Sequence, residues 1–172
     1  MKKATILAVF CLLSIGAFAQ SPLDKGALQL NAGFGTSGWG TPIYVGLDYG
    51  IHEDITLGGE FSFRSYNQSY YNSAYGNYEY KSTIMGIGIN GNYHFNRVMD
   101  IPSEWDFYVG PSLNFYIWNY DDNYPGTNDN SDIGLGAQIG GRYFFTDNFG
   151  LNLELGGGSA TNGAKFGITY IF

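Results

Sequence analysis

The residues able to do chemistry fall into a few groups. Asp48, Glu60, Arg64, Asp106, Arg142, Glu154 and Lys165 alternate with Gly, Ser, Asn and Tyr along segments whose other positions are apolar. At that spacing each charge projects from the less apolar side of a strand. Buried together, such groups form hydrogen-bonded ion pairs or line a proton or ion path. The histidines are His52, in the polar turn His52-Glu53-Asp54, and His94, at the end of an apolar alternation. Asp121-Asp122-Asn123 with Asn128 to Asp132 is rich in oxygen ligands. The calcium-loop spacing fails there, because Gly134 falls one residue late and no acid closes the motif. It therefore reads as a solvated acidic loop, and no metal site is assigned. Tyr66, Tyr70, Tyr71, Tyr75 and Tyr78, interleaved with Ser, Asn and Gly, have the composition of binding surfaces in which Tyr supplies rigid amphipathic contact area.

The elements that position these residues read as strands. Alternation with period two begins at Gly26, with Leu28, Leu30, Ala32 and Phe34 on one face. It recurs from Ile43, Ile55, Met85, Trp105, Ile133 and Phe149, and ends in Ala164–Phe172, where Phe166, Ile168, Tyr170 and Phe172 share a side. Connections are expected at 35–41, 52–54, 65–79, 96–104, 119–131, 146–148 and 157–163. The two longest follow odd-numbered strands. Pro111 falls inside the fifth strand, where it removes a ladder donor, so a bulge or local irregularity is expected at Gly110-Pro111. Gly-x-Gly runs such as Gly33-Phe34-Gly35 sit inside strands and carry no nucleotide-binding meaning.

Composition agrees with an all-β chain. Glycine contributes 26 of the 172 residues, about twice its usual share of roughly 7%. The first residues have the pattern of an export signal: Lys2 and Lys3, an apolar run from Ala4 to Leu13, and the small-x-small triplet Ala17-Phe18-Ala19. Residues 1–19 are thus expected to be cleaved, leaving 20–172 as one domain. The sole cysteine, Cys11, lies in the signal, so disulfide and thiol chemistry are excluded from the mature chain. The net charge of −7 and the scattered Lys and Arg exclude a nucleic-acid surface. No later stretch approaches the ~20 apolar residues of a membrane-spanning helix.

The two faces differ in bulk. One carries Leu, Ile, Val, Phe and Tyr, and the other mostly Gly, Ser, Thr and Asn. A closed barrel of eight strands has little interior room, so the small face must point inward and the bulky face outward, toward lipid. Tyr49, Tyr93, Trp105, Phe107, Tyr143, Phe149, Tyr170 and Phe172 then fall at one level, as a periplasmic aromatic girdle. Phe63, Phe115, Phe166 and Trp39 suggest a second. Glu60, Arg64, Arg142, Glu154 and Lys165 become lumen charges, with Arg64 and Lys165 nearer the outer rim and Glu154 paired with Arg142 or Lys165.

With Tyr108-Val109-Gly110-Pro111-Ser112-Leu113, Phe144-Phe145-Thr146-Asp147-Asn148 and the terminal Tyr170-Ile171-Phe172, the mature chain resembles the small eight-stranded bacterial outer-membrane barrels of OmpX and OmpA-domain type. The resemblance implies an all-β, eight-stranded antiparallel up-and-down transmembrane barrel in the Gram-negative outer membrane. It also implies contacts with lipid and lipopolysaccharide, a C-terminal strand read by the barrel-assembly machinery, a monomer, and no cofactor. No periplasmic domain of the full OmpA type is expected after the barrel, so its role is not implied. The expected function is structural or interactive at the cell surface. The alternatives are a narrow channel for small solutes or ions, and a lipid-modifying barrel enzyme. An enzyme of that kind needs a site at the outer rim, which neither His52 nor His94 reaches, so no catalytic residue is assigned.

Overall fold

The structure, a computed structural model, describes residues 23–38, 40–72, 76–120, 130–159 and 162–172. Its strands are β1 (Leu28–Ser37), β2 (Ile43–His52), β3 (Ile55–Asn72), β4 (Gly76–His94), β5 (Trp105–Tyr120), β6 (Asn130–Phe144), β7 (Phe149–Gly158) and β8 (Asn162–Ile171). Each strand pairs antiparallel with its neighbour in sequence, and β1 pairs with β8, so the sheet closes as a barrel in chain order. A short helix, α1 (Asn96–Met99), occupies the connection between β4 and β5. It ends at Asp100, whose left-handed φ of 50° turns the chain toward β5. The export signal, Trp39, Tyr75 and residues 121–129 lie outside the described residues.

Exposure follows the two-residue period. In β2, Ile43, Val45, Leu47 and Tyr49 are exposed, while Tyr44, Gly46, Asp48 and Gly50 are buried. The bulky apolar face therefore points outward around the barrel, and Leu135 for example is 70% exposed. The interior is not made only of small residues. Tyr44, Tyr108, Tyr116, Trp118 and Phe144 also point inward and are buried. Inward glycines make room for the tyrosines: a Cβ at Gly140 would overlap the Tyr108 ring, one at Gly167 would meet the Tyr44 hydroxyl, and one at Gly86 the Tyr116 ring. Large and small residues thus interdigitate across the lumen.

One expectation about the strands is corrected, and another is met in a different form. Within the segment 65–79, residues 65–72 and 76–79 are strand rather than loop. β3 and β4 continue as a paired ladder to Asn72↔Gly76, well past the last pairing of β3 with β2 at Ile43↔Phe63. The Tyr, Ser and Asn of this stretch suit a turn by composition, but the register set lower in the same strands carries the pairing outward. Pro111 brings the local irregularity expected at Gly110-Pro111, though not as a bulge. Pairing between β4 and β5 pauses between Asn90↔Ser112 and Tyr93↔Val109 with no register shift, while β5 stays paired with β6 through Pro111↔Ala137. The missing N–H faces the paused side, so only that ladder is interrupted. The register shift falls instead between β2 and β3, where Gly50↔Thr56 is followed by His52↔Ile55.

Leu23, the first described residue, and Phe172 lie at one end of the barrel, called here the terminal end. The opposite, hairpin end carries the β3–β4 extension. The segment before β1 folds under the terminal end. Gly26 donates to Gly50 O at 2.8 Å and Gly50 to Ala27 O at 3.1 Å. Leu23, 1% exposed, packs with Phe144 and Ile171 as an apolar stopper.

Candidate functional site

The interior charges form two tiers. Nearer the terminal end, Arg142 of β6 sits between two carboxylates, with Nη1 on Asp106 Oδ2 and Nη2 on Asp48 Oδ2, each at 2.7 Å. With its carbonyl turned inward, the Gln29 amide accepts from Arg142 Nε at 2.9 Å and from Thr169 Oγ1 at 3.0 Å. The guanidinium carbon lies 4.3 Å from the Tyr108 ring centroid. His94 Nδ1 is 2.7 Å from Asp106 Oδ1, and its Nε2 is 3.0 Å from Thr56 Oγ1. A carboxylate only accepts, so it fixes the proton on Nδ1. An Asp–His–hydroxyl line of this kind invites a catalytic reading. Yet Thr56, His94 and Asp106 are each no more than 1% exposed, which leaves no room for a substrate beside the hydroxyl.

At mid-height, Lys165 of β8 repeats the arrangement. Its Nζ donates to Glu60 Oε2 at 2.7 Å and to Glu154 Oε1 at 3.0 Å. Tyr108 donates to Glu154 Oε2 at 2.9 Å, and Tyr44 to Asn152 Oδ1 at 3.1 Å. Each tier holds one Arg or Lys between two acids, and Tyr108 joins them. Glu154 therefore takes Lys165 and not Arg142. Arg142 pairs across from Asn152, one inward position closer to the terminal end than Glu154. Lys165 stands level with Glu154, its partner in the β7–β8 register, rather than near the rim.

Arg64 lies further toward the hairpin end. It is 4% exposed, donates from Nη1 to Ser37 Oγ at 2.6 Å, and lies 5.4 Å from the Tyr116 ring centroid. Beside it, Ile84, Tyr116 and Trp118 form an apolar cluster, with Tyr66 packed against it. Tyr66, from the proposed binding loop, is thus partly built into the barrel wall. Tyr70, Tyr71 and Tyr78 belong to the paired hairpin, as Tyr70↔Tyr78 and Tyr71↔Asn77.

The eight girdle residues project outward at the terminal end. Trp105 stacks on Phe107 with centroids 5.7 Å apart and leans on Tyr143 at 4.7 Å, and Tyr170 meets Phe172 at 5.2 Å. Register sets Phe149 beside Tyr170 and Ile55 beside Tyr93, and Tyr49 falls beside Leu28 and Leu57. Toward the hairpin end, Phe63, Phe115 and Phe166 also face outward, and Phe166 meets Phe34 at 5.9 Å. Outside the barrel, Arg97 of α1 grips Asp54 in the β2–β3 turn, with Nε 2.9 Å from Oδ1. The guanidinium holds the Asp54 carboxyl below its usual range, and Asp54 in turn raises Arg97. Among the described residues no group of His, Cys, Asp and Glu is placed to hold a metal ion.

Sequence reasoning missed the tyrosine link between tiers, the His94–Asp106 contact, the Arg97–Asp54 clasp and the Leu23 stopper. The inward parity of Tyr108 and Asp106 was a readable signal for the first two. Leu23 and Arg97 lie outside the strands, where no period applies.

A closed up-and-down barrel that is apolar outside and charged inside defines a membrane-spanning β-barrel, since only closure satisfies every backbone group in lipid. The family model for the outer membrane protein beta-barrel domain matches residues 5–172. The chain belongs to that family and is an integral protein of the outer membrane. Among solved structures, OprG of Pseudomonas aeruginosa aligns with a TM-score of 0.68 at 10% identity, covering 87% of this chain and 97% of that one. The N-terminal β-barrel domain of Pseudomonas aeruginosa OprF aligns at 0.59 with 15% identity, covering 86% and 98%. Neisserial surface protein A aligns at 0.57 with 18% identity, covering 91% and 99%. At these identities the likeness is one of fold. No curated protein sequence matches the chain.

Proposed function

We propose that this protein is a sealed outer-membrane scaffold that displays a long hairpin at the cell surface for structural or interaction purposes, and that it is not an enzyme. The observation that carries the reading is the β3–β4 ladder, which runs from the last β2 contact at Phe63 out to Asn72. At about 3.3 Å per residue that is roughly 30 Å of hairpin beyond the β2 rim. The hairpin end faces outward from the cell, as longer loops do in this class. Residues 1–19 act as the cleaved export signal. The terminal-end aromatics sit at the periplasmic lipid boundary, the hairpin-end rings rest among lipopolysaccharide, and β8 is the strand recognised during assembly. The barrel works as a monomer without a cofactor.

The two ion tiers support the sealed reading over the channel. Each spans the lumen between opposing strands, and Tyr108 links them beside a space of about 20 Å³. Purified protein in planar bilayers should show no steady conductance. A reproducible open level in the wild type would move the narrow-channel reading ahead.

A further inference from the structure

Between the Lys165 tier and the hairpin end lies a cavity of about 90 Å³, lined in part by Ser37, Arg64, Ser112, Asn114 and Gly156. Arg142 and Lys165 are each held by a pair of carboxylates. Arg64 differs: it bonds only the neutral Ser37 and Tyr116, and among the described residues no carboxylate lies within ion-pair distance of it. A guanidinium presents five N–H donors in a planar fork matched to two oxygens of one anionic group. Burying this charge without a counter-ion is costly, and an oxyanion reaching the guanidinium from the cavity would supply one.

We propose that this vestibule is a binding site for a single oxyanion group, a carboxylate, sulfate or phosphate, gripped by Arg64 with Ser37, Ser112 and Asn114 as neutral partners. The cavity has room for one such group together with water. Its floor selects against deeper entry, because Glu60 and Glu154 outnumber Lys165 there and repel an anion. The site thus captures at the hairpin end rather than conducts. The group arrives either as a free ion or as part of a larger molecule, such as a lipid-borne phosphate.

The test is sulfate titration of the full mature barrel in nanodiscs at constant ionic strength, read by amide NMR shifts. Saturable shifts at Ser37, Ser112 and Asn114 are expected, weakened at least tenfold in R64Q and unchanged in the exposed-surface control K81Q. Gly156 has room for a Cβ, whose nearest neighbour would be Ala137 O at 3.8 Å, so G156D supplies a competing carboxylate without touching Arg64. G156D should abolish the shifts and G156N should keep them, which decides the matter even if R64Q does not fold. Lack of saturable shifts in the wild type, or equal binding in G156D and G156N, overturns the proposal. So does binding that appears only after Asp121, Asp122 and Asp129 are changed to Asn, since the chain's own loop would then fill the site. Discs with and without lipopolysaccharide separate the sources. A site already occupied in the former takes the lipid's phosphate, and a site equally open in both takes the free ion.

Discussion

Lys165 and Glu154 face each other directly in the β7–β8 register, with Nζ 3.0 Å from Oε1, and the same ammonium reaches across the lumen to Glu60 at 2.7 Å. The lysine, not either acid, is the shared member of this tier. Lys165→Met should therefore leave two carboxylates uncompensated and cost less than the ~3–5 kcal/mol of a fully buried pair, because Lys165 is 30% and Glu60 24% exposed. Glu154→Gln should cost less, because Glu60 still holds the ammonium. Equilibrium urea unfolding in micelles measures both. Equal losses would show that the acids do not share the cation.

The tier nearer the terminal end should be less forgiving. Arg142 is 2% exposed and satisfies Asp48, Asp106 and Gln29 together. Arg142→Leu leaves Asp48 with the neutral Asn31 donor and Asp106 with His94, and should cost at least as much as Lys165→Met. The same unfolding assay ranks them. A milder effect than that of Lys165→Met would mean that water enters this tier.

The Asp54–Arg97 clasp gives a pH dependence whose sign is fixed. Asp54 titrates near 3.9 in an unfolded chain and lower in the folded one. Its contribution is complete above the unfolded value and is lost as pH falls through the folded value. The stability difference between wild type and Asp54→Asn should be flat from neutral pH down to about 4 and shrink below that. A difference that grows on acidification contradicts the assignment.

Packing of glycine against tyrosine makes Gly140 sensitive. A Cβ there overlaps the Tyr108 ring, which also carries the hydroxyl bound to Glu154. Gly140→Ala should destabilise by about 1–3 kcal/mol through overpacking. Gly156→Ala, with open space at its Cβ, should be nearly neutral. Parallel unfolding curves compare them.

Orientation is testable on whole cells. Cysteine at Asn72, in the outermost described pair of the hairpin, should react with an impermeant thiol reagent. Cysteine at Asp147, in the β6–β7 turn, should not. The reverse pattern inverts the barrel.

The sequence revealed the strands because a barrel wall forces strict alternation, and because little interior space assigns the bulky side to lipid. The inward charges were legible for the same reason. Their partners were not, because alternation fixes which way Lys165 points but not its height against Glu60 on a strand that is not its neighbour. The hairpin was hidden because Tyr, Ser and Asn of 65–79 have turn-like composition, while the ladder there is an extension of register set by Phe61, Phe63, Met85 and Ile87.

The seam between β1 and β8 joins opposite ends of the chain, from Gln29↔Ile171 to Ser37↔Gly163. Until the last strand arrives, every partial sheet has two open edges that lipid cannot satisfy. Insertion must therefore be a concerted event that waits for the whole chain, with the largest loop-closure entropy met at the final step. A chain cut short of β8 should not settle as a smaller barrel. It should remain an open-edged sheet, prone to pair with its own copies and to be cleared by proteases before it reaches the bilayer.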